Sequence, residues 1–128
     1  MRFFTIAAPA FLGALATASE VVQIKDLSIR DNNGIQATSF TIQPANVQCS
    51  ATTASALANK SVVICGESKY RFAIDGANSK YSLTLYKETA PGAGITGTIE
   101  VQPYCHAGGN GANDFVCTQV SDISVAIY

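Results

Sequence analysis

Residues 21–42 read VVQIKDLSIRDNNGIQATSFTI, two segments of alternating apolar and polar side chains on either side of a turn sequence. Alternation with a period of two is typical of β-strands that bury one face. The alternation changes phase at Lys25 and Asp26, which predicts a β-bulge in the first strand. Asn33 and Gly34 can both adopt the positive φ angles of a two-residue hairpin turn. The segment therefore predicts an antiparallel β-hairpin.

The rest of the chain shows short strand-like segments separated by Gly, Pro and Asn. Residues 51–59 are small and polar, with Leu57 as the one large apolar side chain, so we interpret them as a loop with one helical turn. A further turn is predicted at residues 75–78. The sequence contains no long amphipathic helix. Further strands are expected at residues 47–50, 61–65, 70–74, 81–86, 95–102 and 119–128.

This pattern indicates an all-β fold. A β-sheet leaves unpaired backbone groups along its edge strands, and closing the sheet into a barrel removes those edges. We therefore predict a single antiparallel β-barrel, with a sandwich-like arrangement as the alternative.

The first part of the chain, residues 1–18, has the composition of a secretory signal peptide. Arg2 supplies a positive charge, an apolar run covers residues 3–15, and residues 16–18 offer small side chains for cleavage. The apolar run is shorter than the ~20 residues that a membrane-spanning helix needs. We therefore predict a signal peptide, a single β-barrel domain at residues 19–128, secretion to the extracellular space and no membrane partner.

The charge balance argues against nucleic acid as a partner. Of eight Lys and Arg residues, Arg2 falls in the leader, so seven basic side chains face nine acidic ones in residues 19–128, a net charge of 7 − 9 = −2. Surfaces that bind nucleic acid concentrate basic residues on one face. Here the basic residues are dispersed among acids, so we expect no nucleic-acid binding.

Four cysteines follow the predicted leader, at Cys49, Cys65, Cys105 and Cys117. Small secreted domains commonly use disulfides to supplement a limited hydrophobic core, and four cysteines allow three pairings. The alternative is a metal site that includes His106, but the paired spacing of zinc ligands is absent. We therefore expect two disulfides, no metal and no cofactor.

The last two cysteines bracket a loop of unusual composition. Residues 104–117 read YCHAGGNGANDFVC, with three glycines and two asparagines between Cys105 and Cys117. A glycine-rich loop can bind phosphate through backbone amides, but this loop lacks the P-loop spacing and leads into Phe115-Val116, which is typical of a strand. We interpret the glycines as permitting left-handed backbone angles in a disulfide-closed loop.

This loop, together with Cys49 in QCS and Cys65 in VVICGES, resembles the Alternaria major allergen family (Alt a 1 family) over residues 21–128. The resemblance implies a secreted fungal β-barrel protein, an allergen or an elicitor of plant defence, with no established catalytic motif. The cysteine order of the family and the short loops favour the disulfides Cys49–Cys65 and Cys105–Cys117. Each would stabilise the fold by roughly 3 kcal/mol through the entropy of the unfolded chain.

The functional hypothesis follows from this resemblance. It is a secreted, non-enzymatic interaction protein, an elicitor or effector of plant defence and a potential allergen, with a plant extracellular defence protein of the thaumatin-like type as partner. The alternative hypothesis is an extracellular small-molecule-binding protein with a flavonoid-type ligand. The best-known family members carry an additional cysteine near the mature N-terminus that links two protomers. Residues 19–128 lack that cysteine, so we expect a monomer or a non-covalent dimer.

The sequence offers no motif for catalysis, and we predict no catalytic residue. Nucleophilic catalysis needs a base and an orienting partner beside the nucleophile, and no serine lies in a GxSxG turn. Hydrolysis by two carboxylates has no sequence signature, so it stays open as an alternative. The carboxylates concerned are Asp75, Glu88, Glu100, Asp114 and Asp122.

Two kinds of surface residue complete the candidates. Asn59-Lys60-Ser61 is an acceptor sequon, so Asn59 is a predicted N-glycosylation site. Tyrosines offer large rigid contact area with a polar tip. Tyr104 adjoins a half-cystine and is expected to pack against the disulfide instead. The other tyrosines are Tyr70, Tyr81, Tyr86 and Tyr128.

Overall fold

The computed structural model describes residues 19–128, and the predicted signal peptide at residues 1–18 lies outside them. These residues form ten β-strands and one short helical segment, α1 (Ala54–Leu57), which continues into a 3-10 turn (Ala58–Lys60). The strands are β1 (Glu20–Asn32), β2 (Ile35–Gln43), β3 (Val47–Ala51), β4 (Val63–Ile64), β5 (Tyr70–Ala77), β6 (Lys80–Ala90), β7 (Ala93–Val101), β8 (Tyr104–Ala107), β9 (Asp114–Thr118) and β10 (Ile123–Ile127). No helix within residues 19–128 is long and apolar enough to cross a membrane.

The strands form two antiparallel sheets. The first sheet has the order β3-β2-β1-β9-β8, and β10 also pairs with β1. β10 pairs with the N-terminal half of β1 and β9 with its C-terminal half. The second sheet has the order β4-β5-β6-β7. The predicted all-β class is confirmed. Neither sheet in residues 19–128 closes into the predicted barrel, and the sandwich-like alternative describes the arrangement.

The sheets meet along their edges through contacts that do not complete a strand pairing. The backbones of Thr96 in β7 and Tyr128 exchange hydrogen bonds of 3.1 and 3.3 Å. Gly97 lies so close to the carbonyl oxygen of Ala126 that any side chain there would collide with it. At the opposite edge, the disulfide Cys49–Cys65 links β3 to the residue that follows β4. At these two edges, one pair of backbone hydrogen bonds and one disulfide stand in place of a continuous ladder of strand pairing. The strands therefore form two packed sheets.

The first hairpin has the predicted geometry. β1 and β2 are joined by Asn33 and Gly34, whose φ angles are 56° and 126°. The pairing of the two strands shifts register between Lys25 and Ser28, and Asp26 has a φ of 56°. The predicted bulge and turn are therefore confirmed. The bulge explains the change of phase, because the extra residue returns the following apolar side chains to the core.

Several predicted boundaries are displaced, among them the second turn and the start of β10. The second turn lies at Asn78 and Ser79, with φ angles of 56° and 69°, because β5 continues through Ala77. β10 begins later than predicted because Gln119 bonds to the bulge of β1, and the regular ladder between β10 and β1 starts only at Ile123. The Gln119 side chain accepts a 3.0 Å hydrogen bond from the Leu27 amide and donates one of 2.8 Å to the Ile24 carbonyl.

The core lies between the two sheets. Phe40 of the first sheet and Phe72 of the second meet edge to face, with ring centroids 5.1 Å apart. Leu57, which ends α1, is buried beside them, as the sequence pattern predicts. The remaining core is aliphatic and includes Val22, Ile24, Leu27, Ile29, Ile42, Ile74, Leu83 and Leu85.

Candidate functional site

A cleft of about 610 Å³ opens at one end of the sandwich, where three connecting segments converge. These segments are the β1–β2 turn, the β5–β6 turn and the loop between β8 and β9. The volume falls within the range of small-ligand sites, about 300–1,000 Å³. The cleft is lined by Asp31, Asn33, Gly34, Ala77, Asn78, Ser79, Tyr81, Cys105, Asn113 and Phe115.

A buried carboxylate and a buried phenol form the inner end of the cleft. The Tyr81 hydroxyl donates a 2.7 Å hydrogen bond to Asp31 Oδ2, and the Gly34 amide donates one of 3.0 Å to Asp31 Oδ1. Asp31 is 8% exposed and Tyr81 is 2% exposed. Burying a carboxylate costs free energy unless hydrogen-bond donors stabilise it, and these two hydrogen bonds offset that cost for Asp31. Among residues 19–128, Asp31 has no ion-pair partner.

The environment of Tyr81 keeps its hydroxyl protonated. Burial raises the pKa of Tyr81 well above its ordinary value, and the hydrogen bond to Asp31 and the negative charge of Asp31 raise it further. The hydroxyl also lies 3.9 Å from Cys117 Sγ. Tyr81 therefore serves as a fixed neutral donor that joins the second sheet to β1 of the first sheet, next to the Cys105–Cys117 disulfide.

The β8–β9 loop is shaped by a second buried acid, Asp114. Arg30 Nη2 forms a 3.0 Å ion pair with Asp114 Oδ2, and the Asn110 amide donates to the same oxygen at 3.1 Å. Gly108 lies against the Asp114 carboxylate and has no room for a side chain. Gly109 and Gly111 have positive φ angles of 89° and 104°, so the prediction of left-handed glycines in this loop is confirmed for these two. The disulfide Cys105–Cys117 closes its base.

The exposed aromatic side chains fall on two faces of this region. Phe115 is 41% exposed and faces the cleft. On the outer face of β8, Tyr104 stacks on His106, with ring centroids 6.1 Å apart. The prediction that Tyr104 packs against the disulfide is wrong. Successive strand residues point to opposite faces, so Tyr104 lies on the face opposite to its neighbour Cys105 and is 62% exposed.

The remaining predicted contact residues are divided between core and surface. Tyr70 and Tyr81 are buried, Tyr86 is half-buried, and Tyr128 is exposed. Asn59, the predicted glycan site, lies on the surface with a φ of 57°.

A second polar cluster lies at the opposite end of β1 and joins the two sheets. Glu20 accepts hydrogen bonds of 2.6 Å from the Tyr70 hydroxyl and 2.7 Å from Lys87 Nζ. Burial alone would raise the pKa of Glu20, but the hydrogen bonds from Lys87 and Tyr70 and the charge of Lys87 hold it below its ordinary value. The hydrogen bond to Glu20 raises the pKa of Lys87. Burial raises the pKa of Tyr70, and the hydrogen bond from Tyr70 to Glu20 raises it further. Two open clefts adjoin this cluster: Lys87 lines one of about 370 Å³, and Glu20 lines one of about 530 Å³.

Of the carboxylates considered for hydrolysis, Glu100 and Asp122 both line a cleft of about 290 Å³. Asp114 is paired with Arg30, Asp75 lies 3.9 Å from Lys60, and Asp122 lies 3.5 Å from Lys25. Glu88 and Glu100 are exposed on β6 and β7. In residues 19–128, no cluster of three or more His, Cys, Asp or Glu side chains is arranged to hold a metal ion.

Sequence reasoning did not identify the cleft. Asp31 and Tyr81 are 50 residues apart, and neither lies in a motif. The signals that did exist were turn signals. Asn33-Gly34 was recognised as a turn, but nothing in the sequence shows that this turn and the β5–β6 turn converge on the same disulfide loop.

The fold and the cleft together define a small, disulfide-linked β-sandwich protein with a ligand-sized opening at one end. Comparison with known proteins gives the family. A family model described as "Alternaria alternata allergen 1" matches residues 24–117. The chain belongs to this family, as its resemblance indicated.

The most similar proteins include a fungal effector and the allergen itself. The chain is 33% identical over 131 aligned positions to effector protein PevD1 of Verticillium dahliae, covering 95% of this chain and 83% of that protein. It superposes on a crystal structure of the Alternaria alternata allergen Alt a 1 with a TM-score of 0.70 and 30% identity, covering 84% of this chain and 87% of the other. A second crystal structure of that allergen gives a TM-score of 0.68 and 28% identity, covering 84% and 92% of the two chains.

Proposed function

We propose that this protein is a secreted fungal effector that elicits plant defence through its folded surface and without catalysis. The observation that carries the proposal is the 33% identity to effector protein PevD1 over 95% of this chain. The allergen family adds the expectation that the protein is also an allergen. Glu100 and Asp122 line a common cleft, but Asp122, Asp114 and Asp75 each lie within 4.0 Å of a basic side chain, and this pairing supports a non-enzymatic role.

The proposed partner is a plant extracellular defence protein of the thaumatin-like type. The outer face of β8 and its neighbours is the surface that suits such a contact best. It carries the stacked pair Tyr104 and His106 beside the half-exposed Arg30. Tyrosine and arginine are enriched among residues that dominate protein interfaces. The two disulfides within the chain leave no free cysteine in residues 19–128, so the protein is proposed to act as a monomer or a non-covalent dimer.

Leaf infiltration tests this proposal. The purified protein, secreted from a eukaryotic host, should induce a defence response in at least one of several plant species. A variant that combines Tyr104→Ala with His106→Ala should lose most of that response, and it should also lose capture of a thaumatin-like protein from leaf apoplast. Val62→Ala is the matched control, because Val62 is an exposed residue next to β4 of the second sheet. A wild-type protein without activity in any host, or a double variant with full activity, would contradict the proposal.

The second candidate function is binding of a small extracellular molecule, and the cleft of about 610 Å³ is the observation that favours it. The resemblance suggests a flavonoid-type ligand. Titration of a fluorescent flavonol against the protein tests that form of the hypothesis. A saturable change at micromolar concentration that is weakened by Phe115→Ala supports it, and the absence of any saturable change removes the flavonoid.

A further inference from the structure

We infer that the cleft binds an uncharged saccharide. This inference rests on the second candidate function and replaces its flavonoid by a different class of ligand. Three observations carry it: the polar groups that surround the opening, the one ring that faces it, and the sign of the charge at its inner end.

The rim of the cleft is built from side chains that both donate and accept hydrogen bonds. Asn33, Asn78 and Asn113 come from three separate connecting segments, and Ser79 adds a hydroxyl. All four are exposed, so their polar groups are open to a ligand. An amide offers two donor hydrogens and an acceptor oxygen, which matches the neighbouring hydroxyls of a sugar, each both donor and acceptor.

The inner end of the cleft offers acceptor capacity that the protein does not use up. A carboxylate has about four lone-pair sites, and Asp31 accepts one bond from Tyr81 and one from Gly34. A buried carboxylate with remaining lone pairs favours a ligand that donates hydroxyl hydrogens to it. Sugar hydroxyls supply such donors.

The apolar part of the cleft suits a sugar better than a flat polyphenol. Phe115 is the aromatic ring that the cleft exposes, since Tyr81 is 2% exposed and presents no free ring face. A polyphenol buries apolar surface on both of its faces, which would need a second ring or aliphatic wall opposite Phe115. A sugar has one face of C–H groups to lie against a ring, and its hydroxyls point toward polar groups around its edge.

The charge of the site excludes acidic sugars. None of the residues that line the cleft is Lys, Arg or His, and Asp31 is negative. A uronic acid or a phosphorylated sugar would therefore bring a second negative charge next to a poorly solvated carboxylate without a compensating cation. The ligand is accordingly uncharged.

The experiment uses the purified protein labelled with ¹⁵N and a panel of tetrasaccharides followed by NMR. The uncharged probes are cellotetraose, laminaritetraose, mannotetraose and chitotetraose, and the acidic probe is tetragalacturonate. At least one uncharged probe should give saturable shifts confined to residues 31–34, 77–81 and 113–115, and tetragalacturonate should give none. Quercetin is included as the flavonol probe.

Matched variants distinguish the cleft from nonspecific contact. Phe115→Ala should weaken binding of the uncharged probe by about three- to tenfold, the usual contribution of an aromatic contact. Tyr104→Ala removes an exposed aromatic ring on the opposite face of the same sheet and should leave the affinity unchanged. Asn113→Ala is an exposed loop change that should also weaken binding, which keeps the test valid if Phe115→Ala fails to fold.

Each remaining outcome overturns the inference. It fails if tetragalacturonate binds as well as the uncharged probes, or if Tyr104→Ala weakens binding as much as Phe115→Ala and Asn113→Ala. If quercetin saturates the cleft residues and no saccharide does, the saccharide is wrong and the small-molecule function stands. If no probe binds at millimolar concentration, both fail, and the leaf assay still tests the effector function separately.

Discussion

Replacing Tyr81 by Phe isolates the energetic role of the bond at the inner end of the cleft. The change removes the hydroxyl that donates 2.7 Å to Asp31 and keeps the ring in the core. Hydrogen bonds to charged groups contribute about 1.5–3 kcal/mol, and Asp31 is left buried with only the Gly34 amide as donor. We therefore expect Tyr81→Phe to lower the free energy of unfolding by about 2 kcal/mol.

The measurement is urea denaturation at pH 7, followed by far-ultraviolet circular dichroism because the chain has no Trp. Tyr104→Phe is the matched control, since the Tyr104 side chain is exposed, and such surface changes usually stay within about 0.5 kcal/mol. A double-mutant cycle with Asp31→Asn should give a coupling of about 1 kcal/mol or more. The reasoning is refuted if Tyr81→Phe and Tyr104→Phe destabilise the protein equally, or if the coupling is zero.

The same pair predicts a pH dependence. The pKa of Tyr81 is raised on folding, so its stabilising contribution is fully present below the ordinary tyrosine value of about 10 and is lost as the pH rises above it. The wild-type protein should therefore lose stability above pH 10 more steeply than Tyr81→Phe. Lys87 and Tyr70, whose pKa values are also raised, contribute equally to both proteins and cancel in the difference. Parallel pH profiles of the two proteins would show that the folded structure does not stabilise the protonated form of the Tyr81 hydroxyl.

Three further predictions concern the other connections of the fold. Because the pKa of Glu20 is lowered on folding, the ionised side chain stabilises the protein above about pH 4.5, and this stabilisation is lost at lower pH. In Glu20→Gln the free energy of unfolding, measured by denaturation between pH 2 and 6, should therefore fall less steeply with decreasing pH than in the wild type. An unchanged dependence on pH contradicts this. Gly97→Ala should lower the free energy of unfolding by about 1–3 kcal/mol, because the added carbon collides with the Ala126 carbonyl. A thermal unfolding midpoint equal to that of the wild type would show that the two sheet edges can separate there without loss of stability. Asn59→Gln should reduce the mass of the protein secreted from a eukaryotic host by one N-glycan; equal intact masses would show that the sequon is unoccupied.

The local features of the fold could be predicted because they follow from nearby residues. Asn33-Gly34 specifies its own turn, and the phase change at Lys25 and Asp26 requires a bulge wherever the strand pairs. Leu57, the one large apolar residue of its segment, anchors α1 in the core. In each case the decisive interaction spans only a few residues of the chain.

The arrangement of the sheets and the cleft could not be predicted because each depends on distant residues. Whether the sheets close depends on how β7 meets β10, where one pair of backbone bonds forms around Thr96. The exposure of Tyr104 depends on which face of β8 is turned inward, and alternation over four residues does not decide that. In the sequence, Asp31 looks like an ordinary turn residue. It is buried in the structure because Tyr81, which is distant in sequence, lies beside it.

The bridge between Cys105 and Cys117 has a consequence for resistance to proteolysis. Residues 109–113 are exposed, so an enzyme can reach the backbone there. A cut at that place would divide the polypeptide, yet sulfur would still hold the two pieces together, and Asp114 with Arg30 would keep β9 in its sheet. A nicked molecule should run as one band on a gel without reductant and as two bands with it, and it should still present the outer face of β8.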